Sequence, residues 1–292
     1  MSELRLGTWQ MPAGGVGQAD PLPRMRRIHG PHKRQEPSTA VQKKVRKLFQ
    51  YGAVPGCLPY RVQYGYDRVL KPRTFRTVIL ENDILRATFL TELGGRLWSL
   101  VHKPSDTELL YVNRVFQPAN LGILGIWFSG GVEWNHGIRG HTPFTCEPLF
   151  AARVAGDDGA PILRIYEWER IRRAPFQMDF LLPDGSPFLL VRVRLTNPHD
   201  REIPMYWWSN IAVDEAEGAR IVVPAHSAYK FSYDGAIRQL PIPVHEGIDR
   251  TYPANPSPAG DYFYAVDDHP RPWITSLGPD GRGLVHVSTP RL

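Results

Sequence analysis

From about Tyr60 onward, apolar and polar residues alternate with a period of two, as in strands that bury one face. The clearest run is Phe188–Leu195, with Val191, Val193 and Leu195 on one side and Arg192 and Arg194 on the other. That pattern predicts a half-buried antiparallel strand. Similar runs predict strands over Thr77–Leu80, Leu85–Leu90, Arg96–His102, Leu163–Arg170, Met205–Ile211, Arg220–Pro224, Tyr229–Tyr233, Tyr262–Val266 and Leu284–Ser288. Between them stand turn formers: Glu81-Asn82-Asp83, Gly94-Gly95, Pro183-Asp184-Gly185 and Pro279-Asp280-Gly281. The 28 prolines and 26 glycines are scattered among short apolar runs, which suits many strands and argues against a helical bundle. The expected fold is an all-β, large antiparallel sandwich over residues 58–292.

Residues 1–57 read differently. Pro12, Gly14, Gly15, Gly17, Pro21 and Pro23 predict a mostly irregular N-terminal arm. Within it, residues 24–50 carry nine Lys/Arg against one acid, Glu36, leaving −2 of the total +6 for the rest of the chain. Val41, Val45, Leu48 and Phe49 lie on one helical stripe in that block. The basicity is therefore local. The block is read as an amphipathic helix with solvated charges, and a nucleic-acid role is not favoured because no Tyr or Trp is present to stack on bases. Two cysteines without a paired pattern argue against a disulfide framework. No apolar stretch is long enough to span a membrane, and no signal-type apolar core opens the chain, so a cytoplasmic location is expected. The last residues, Gly283–Leu292, read as a strand entering a turn, so the chain is expected to be part of a longer protein.

The chemistry concentrates in Gly125–Glu147, which holds Trp127, Glu133, Trp134, Asn135, His136, Arg139, His141 and Glu147 among several glycines. Those glycines and charges predict a ligand-approaching loop instead of a core strand. Flat aromatic faces beside directional polar groups match a sugar, which has an apolar C–H face and a rim of hydroxyls. Glu133 and His141 are the candidate acid/base pair, since each can hold a pKa near neutrality when partly desolvated. In the competing reading Glu133 pairs with Arg139 or Arg96, and His141 bonds a loop carbonyl. Glu133, His136 and His141 also form a conceivable metal-ligand set, but at the wrong spacing for a helical zinc motif, and no cofactor or metal is expected. In Met205–Asn210, adjacent Trp207 and Trp208 must face opposite ways, so one lines the cleft with Asn210 beside it. Arg96, after Gly94-Gly95, is a further candidate for the cleft. Glu167 and Glu169 share a strand face and are read as a solvated sheet surface, with Glu167 held in reserve as a second carboxylate.

Leu93–Trp98, Phe116–Asn120, Trp127–Asn135, Gly140–Thr145 and Tyr206–Ile211 resemble the bacterial domain of unknown function 5107, over about residue 58 to the end. That family typically precedes tetratricopeptide repeats, so the resemblance implies a C-terminal repeat domain in the full-length protein. It is in turn similar to the galactose mutarotase-like supersandwich, which implies a carbohydrate ligand more firmly than a reaction. The expected function is acid/base catalysis on a glycoside or free sugar, by hydrolysis or epimerisation. The alternative is a non-catalytic carbohydrate-binding or regulatory module. Glu133 and His141 would be catalytic, and Arg96, Trp127, Trp134, Asn135, His136, Trp208 and Asn210 would bind substrate. A mutarotase places its glutamate late in the chain. No such residue follows His286 here, so none is carried over.

Overall fold

The computed structural model describes residues 1–23, 58–138, 140–231, 236–254, 260–266 and 270–289. The basic block at 24–50, Cys57 and Arg139 lie outside the described residues. The described chain is an all-β antiparallel sandwich, as its period-two patterning requires. It divides into two compact units, one up to Ala212 and one from Val213 onward.

The first unit contains β1 (Glu3–Ala13), β2 (Lys71–Glu81), β3 (Leu85–Leu90), β4 (Arg96–His102), β5 (Thr107–Glu108), β6 (Ala119–Gly122), β7 (Gly125–Trp127), β8 (Val132–His136), β9 (Phe150–Ala155), β10 (Pro161–Glu169), β11 (Ala174–Leu181), β12 (Leu190–Leu195) and β13 (Trp207–Ile211). One sheet runs β1-β2-β3-β4-β8-β13 with β5 beside β4; a second runs β12-β11-β10-β9. Aromatic rings bridge the two sheets: Phe89 lies 4.6 Å from Phe180, and Trp134 lies 5.2 Å from Phe180, by ring centroids. The larger sheet is buried on its other face too. There Phe75, Leu90 and Trp98 meet Phe116, Ile126 and Phe128 from the β6–β7 region. This two-sided burial leaves the polar groups of β4 and β8 out of water, where an unpartnered group is costly; among the described residues Trp98 Nε1 and His136 Nδ1 are left without a partner.

Two expectations change here. Residues 3–13, assigned to an irregular arm, form an 11-residue strand in full register with β2. Pro12 is tolerated because β1 is an edge strand, where a missing N–H costs no ladder bond. Val132–His136, expected in a loop, is a wholly buried strand. Its glycines flank it without interrupting it: Gly130 and Gly131 precede it and Gly137 follows. Elsewhere β3 and β4 have the predicted bounds, while β10 and β13 differ by one or two residues at their ends. Val191, Val193 and Leu195 share a face as predicted, opposite Phe180, Met178 and Phe176, but β12 is an edge and Val191 stays exposed.

The second unit holds two three-stranded sheets. Thr275 of Trp273–Leu277 lies between Val222 and Val285, and Ser227–Phe231 lies between Ile237–Pro241 and Asp261–Tyr264. Ala228, Leu240 and Ile242 form a small core with Tyr262 and Tyr264 packed against it.

The entry to β8 depends on Gly131. Its φ is +64°, and a Cβ there would stand 2.3 Å from the Leu97 carbonyl oxygen. Gly159, in the β9–β10 turn, also has positive φ (+79°) but open space around it. Gly159→Ala should therefore cost only the left-handed penalty of about 1–2 kcal/mol. Gly131→Ala should cost more than twice as much, because backbone must move. Urea denaturation of the two variants checks the order.

Candidate functional site

β8 sorts its side chains by the strand period. Glu133 and Asn135 point to the face shared with Arg96 and Trp98, while Trp134 and His136 point into the inter-sheet core. β13 pairs with it so that Trp208 lies opposite Asn135 and Asn210 opposite Glu133. His141 comes from the loop after β8. The Thr142 amide donates to Asn135 Oδ1 at 2.6 Å and fastens that loop to the strand.

Glu133 is 2% exposed, and protein groups engage both of its oxygens. Oε1 accepts from Thr145 Oγ1 at 2.9 Å and lies 3.5 Å from Arg96 Nη2. Oε2 accepts from His141 Nδ1 at 2.7 Å, with longer bonds from Trp127 Nε1 (3.3 Å) and Asn135 Nδ2 (3.4 Å). Arg96 is itself sealed in. Its Nη1 donates to the Phe128 and Gly130 carbonyls, its Nη2 donates to Thr145 Oγ1, and its Cζ sits 3.8 Å over the Phe128 ring. Burial alone would raise the Glu133 pKa. The His141 bond, the Arg96 charge and the Thr145 bond outweigh it and lower the pKa to about 2. Glu133 is thus a fixed anion.

His141 is the part of this constellation that meets solvent, with its side chain 24% exposed. With Nδ1–H committed to Glu133, Nε2 is the free ring nitrogen, and it has no partner among the described residues. The ring lies 4.8 Å from the Trp127 ring and 6.3 Å from the Trp208 ring. Trp208 Nε1 is buried and also lacks a partner among the described residues. The arrangement offers one oriented imidazole between two indoles, held from beneath by an ionised carboxylate.

The structure thus brings Glu133, His141, Trp127, Asn135, Trp208 and Arg96 together, with Asn210 on the same face of the sheet. Arg96, Asn135 and Glu133 act beneath the surface as positioning groups, because burial keeps them from a ligand. Trp134 and His136, expected to bind substrate, are core residues. Trp134 Nε1 donates to the Gly95 carbonyl, and the His136 ring stacks 3.7 Å from Phe176. His136 faces away from Glu133 and His141, so the three do not assemble as metal ligands. Burial lowers the His136 pKa to about 3 and keeps it neutral.

Glu169, expected on a solvated face, is buried and accepts from Tyr60 Oη and the amides of Ile171 and Arg172. That makes it the anchor of a turn. Glu167 accepts from the Trp168 amide. Sequence reasoning missed the structural parts played by Thr145 and Tyr60. Thr145 stands in the Gly140–Thr145 motif, which was a usable signal; Tyr60 gave none.

Residues 53–290 match the family model described as a domain of unknown function, DUF5107. The chain belongs to that family. The DUF5107 chain is also similar in structure to a TPR-domain containing protein from Parabacteroides distasonis ATCC 8503, with a TM-score of 0.74 and 18% sequence identity. The match covers 96% of this chain and 43% of that one, so the chain spans less than half the length of its structural neighbour. At that identity the likeness concerns the fold. The segments Leu93–Trp98, Trp127–Asn135, Gly140–Thr145 and Tyr206–Ile211, all within the matched residues, hold Arg96, Glu133, His141 and both indoles, Trp127 and Trp208.

The burial of this centre has measurable consequences. Glu133→Gln leaves the Arg96 charge uncompensated and should destabilise the fold by about 3–5 kcal/mol. Adding Arg96→Met should recover part of that loss, and a double-mutant cycle in urea measures the coupling. Acid acts through His136. An unfolded chain protonates a histidine near 6.5, whereas folded His136 resists protonation down to about 3. The unfolded state therefore binds the extra proton, and His136 contributes a stability loss approaching 1.4 kcal/mol per unit as pH falls below 6.5. Glu133, depressed from 4.5, adds a loss of the same sign only below that pH. Between pH 6.5 and 4.5, His136→Asn should show a shallower slope of unfolding free energy than the parent; equal slopes would refute the assignment.

Proposed function

We propose that this domain is a carbohydrate-active module in which His141 moves a proton on a bound sugar. The observation that carries this reading is the 2.7 Å bond that fixes the partly exposed His141 imidazole on a buried, ionised Glu133, with the ring 4.8 Å from Trp127 and 6.3 Å from Trp208. Indole faces suit the C–H face of a pyranose, and the unpartnered Trp208 N–H suits a hydroxyl oxygen. The galactose mutarotase-like resemblance supports the same ligand class.

Between the two reactions, aldose epimerisation at the anomeric carbon fits better than hydrolysis. Hydrolysis calls for two carboxylates flanking the glycosidic bond. Here Glu133 is buried and engaged by protein donors, and the reserve carboxylate Glu167 stands on β10 in the other sheet. Ring opening needs only that the proton on the anomeric hydroxyl reach the ring oxygen. His141 Nε2 accepts it as the bond from C1 to the ring oxygen breaks and a carbonyl forms. The imidazolium, stabilised by Glu133, then delivers the proton to the ring oxygen. Reclosure on the other carbonyl face inverts the anomer. A carboxylate behind the imidazole holds one tautomer and favours its charged form during transfer.

A second reading, binding without turnover, is favoured because His141 is the one titratable group among the described residues whose ring contacts both Trp127 and Trp208. Two-dimensional exchange NMR of anomeric protons, run over a panel of free aldoses, separates the readings. His141→Gln should slow anomer exchange of the preferred sugar by about 10²-fold or more, the usual share of general acid–base catalysis, while leaving its binding in place. Trp127→Ala should weaken binding by roughly tenfold. Full exchange in His141→Gln would remove the catalytic proposal. Binding by an aldose whose exchange is never accelerated would establish the second reading.

A further inference from the structure

A separate cavity of about 370 Å³ lies in the first unit, outside the His141 constellation. Its wall is the strap that follows β1. Gly14 N donates to Phe116 O, Gly15 N to Asp67 Oδ1, and Asp20 N to Val62 O, while Gln63 Nε2 donates to Val16 O. The strap approaches its neighbour so closely that a Cβ on Gly17 (φ +65°) would sit 2.0 Å from Gly65 O. The backbone of the wall is therefore formed before any ligand arrives, and the ordering cost of binding falls on the exposed Arg61 and Arg73 side chains. Leu93 and Cys146 supply apolar lining. The thiol of Cys146, 7% exposed and pushed up to about 12 by burial, is an unreactive part of that lining.

The charged lining is Arg61, Arg73 and Arg76 against Glu92 and Glu147. These do not cancel pairwise. Arg76 Nε donates to Glu92 Oε1 at 2.9 Å, and its amide donates to the other oxygen of the same carboxylate, so these two groups satisfy one another. Arg61 and Arg73 have no carboxylate within ion-pair distance among the described residues, and Arg73 is held over the Phe75 ring with its Cζ 4.4 Å from the centroid. Two guanidiniums thus reach one preformed cavity with one carboxylate, Glu147, left to balance them. A guanidinium presents a planar fork of N–H donors that matches two oxygens of a carboxylate or phosphate.

We propose that this cavity binds the oxyanion of a small molecule, carboxylate or phosphate, through Arg61 and Arg73. The site is distinct from the His141 centre and does not depend on what that centre does. Its size admits a ligand somewhat larger than a bare ion, with Leu93 and Cys146 receiving a short apolar portion.

The test is isothermal titration of the whole chain with inorganic phosphate and, separately, with succinate, at fixed low chloride. Binding at about millimolar concentration or tighter is expected for at least one of them, and the ratio between the two identifies the preferred oxyanion. Arg61→Ala/Arg73→Ala should weaken it by about tenfold or more, since a single charge-assisted hydrogen bond is worth that order. His141→Gln should leave the affinity unchanged, so failure here and failure of the sugar reading can be told apart. Backbone ¹⁵N shifts should move at Gly17, Gln63 and Leu93. Absence of binding up to about ten times the expected concentration would overturn the proposal. So would binding that survives the double substitution, or shifts confined to other residues.

Discussion

Everything at the centre of this domain rests on one buried ion pair. Arg96 and Glu133 leave water together on a sheet covered on both faces, a state that costs several kcal/mol per charge unless donors and acceptors are matched. Two main-chain carbonyls, a threonine hydroxyl, an aromatic face and the carboxylate surround the guanidinium. The carboxylate in turn takes a bond from His141, so the charge that balances the arginine also fixes the imidazole. Thr145 Oγ1 joins the two, accepting from Arg96 and donating to Glu133. Removing either charge disturbs the core and the surface at once.

This coupling explains how far the sequence could be read. Period-two patterning located β3 and β4 because clear turn formers bound them: Glu81-Asn82-Asp83 before β3 and Gly94-Gly95 between the two. It passed over β8 because glycines and charges were counted as interruptions. The strand is only five residues long, and its glycines lie outside it, at left-handed turns that only glycine adopts cheaply. β1 was lost for a similar reason: Pro12 reads as a breaker unless the strand is known to be an edge. Trp9, Met11 and Ala13 did carry the alternating signal on its inner face.

The same five residues decided which candidate side chains the site retains. Once Val132–His136 is a strand, alternation alone sends Glu133 and Asn135 one way and Trp134 and His136 the other. The misplacement of Trp134 and His136 followed from the missing strand, and their residue types gave no warning. Trp207 and Trp208 show the converse. Recognised as strand neighbours, they divide as alternation requires, Trp207 stacking near Trp134 and Trp208 lying toward His141. Burial was not legible at all. It is created by Phe128, Thr145 and the β6–β7 region, which are distant in sequence from Arg96.

Burial also redistributes the chemical roles. A glutamate and a histidine eight residues apart invite the idea of an acid and a base that exchange tasks. That exchange requires both groups to reach the reacting atoms and to have pKa values near the working pH. Glu133 meets neither condition, since among the described residues its oxygens are spent on four hydrogen-bond donors and the Arg96 ion pair, and its pKa lies far below neutrality. Its negative charge is nonetheless what a neighbouring imidazole needs in order to keep one tautomer and to carry a transient positive charge. Arg96 draws on the same carboxylate, so Glu133 is shared between the guanidinium and the imidazole. The ion pair that holds the core together thereby orients the one group in it that reaches solvent.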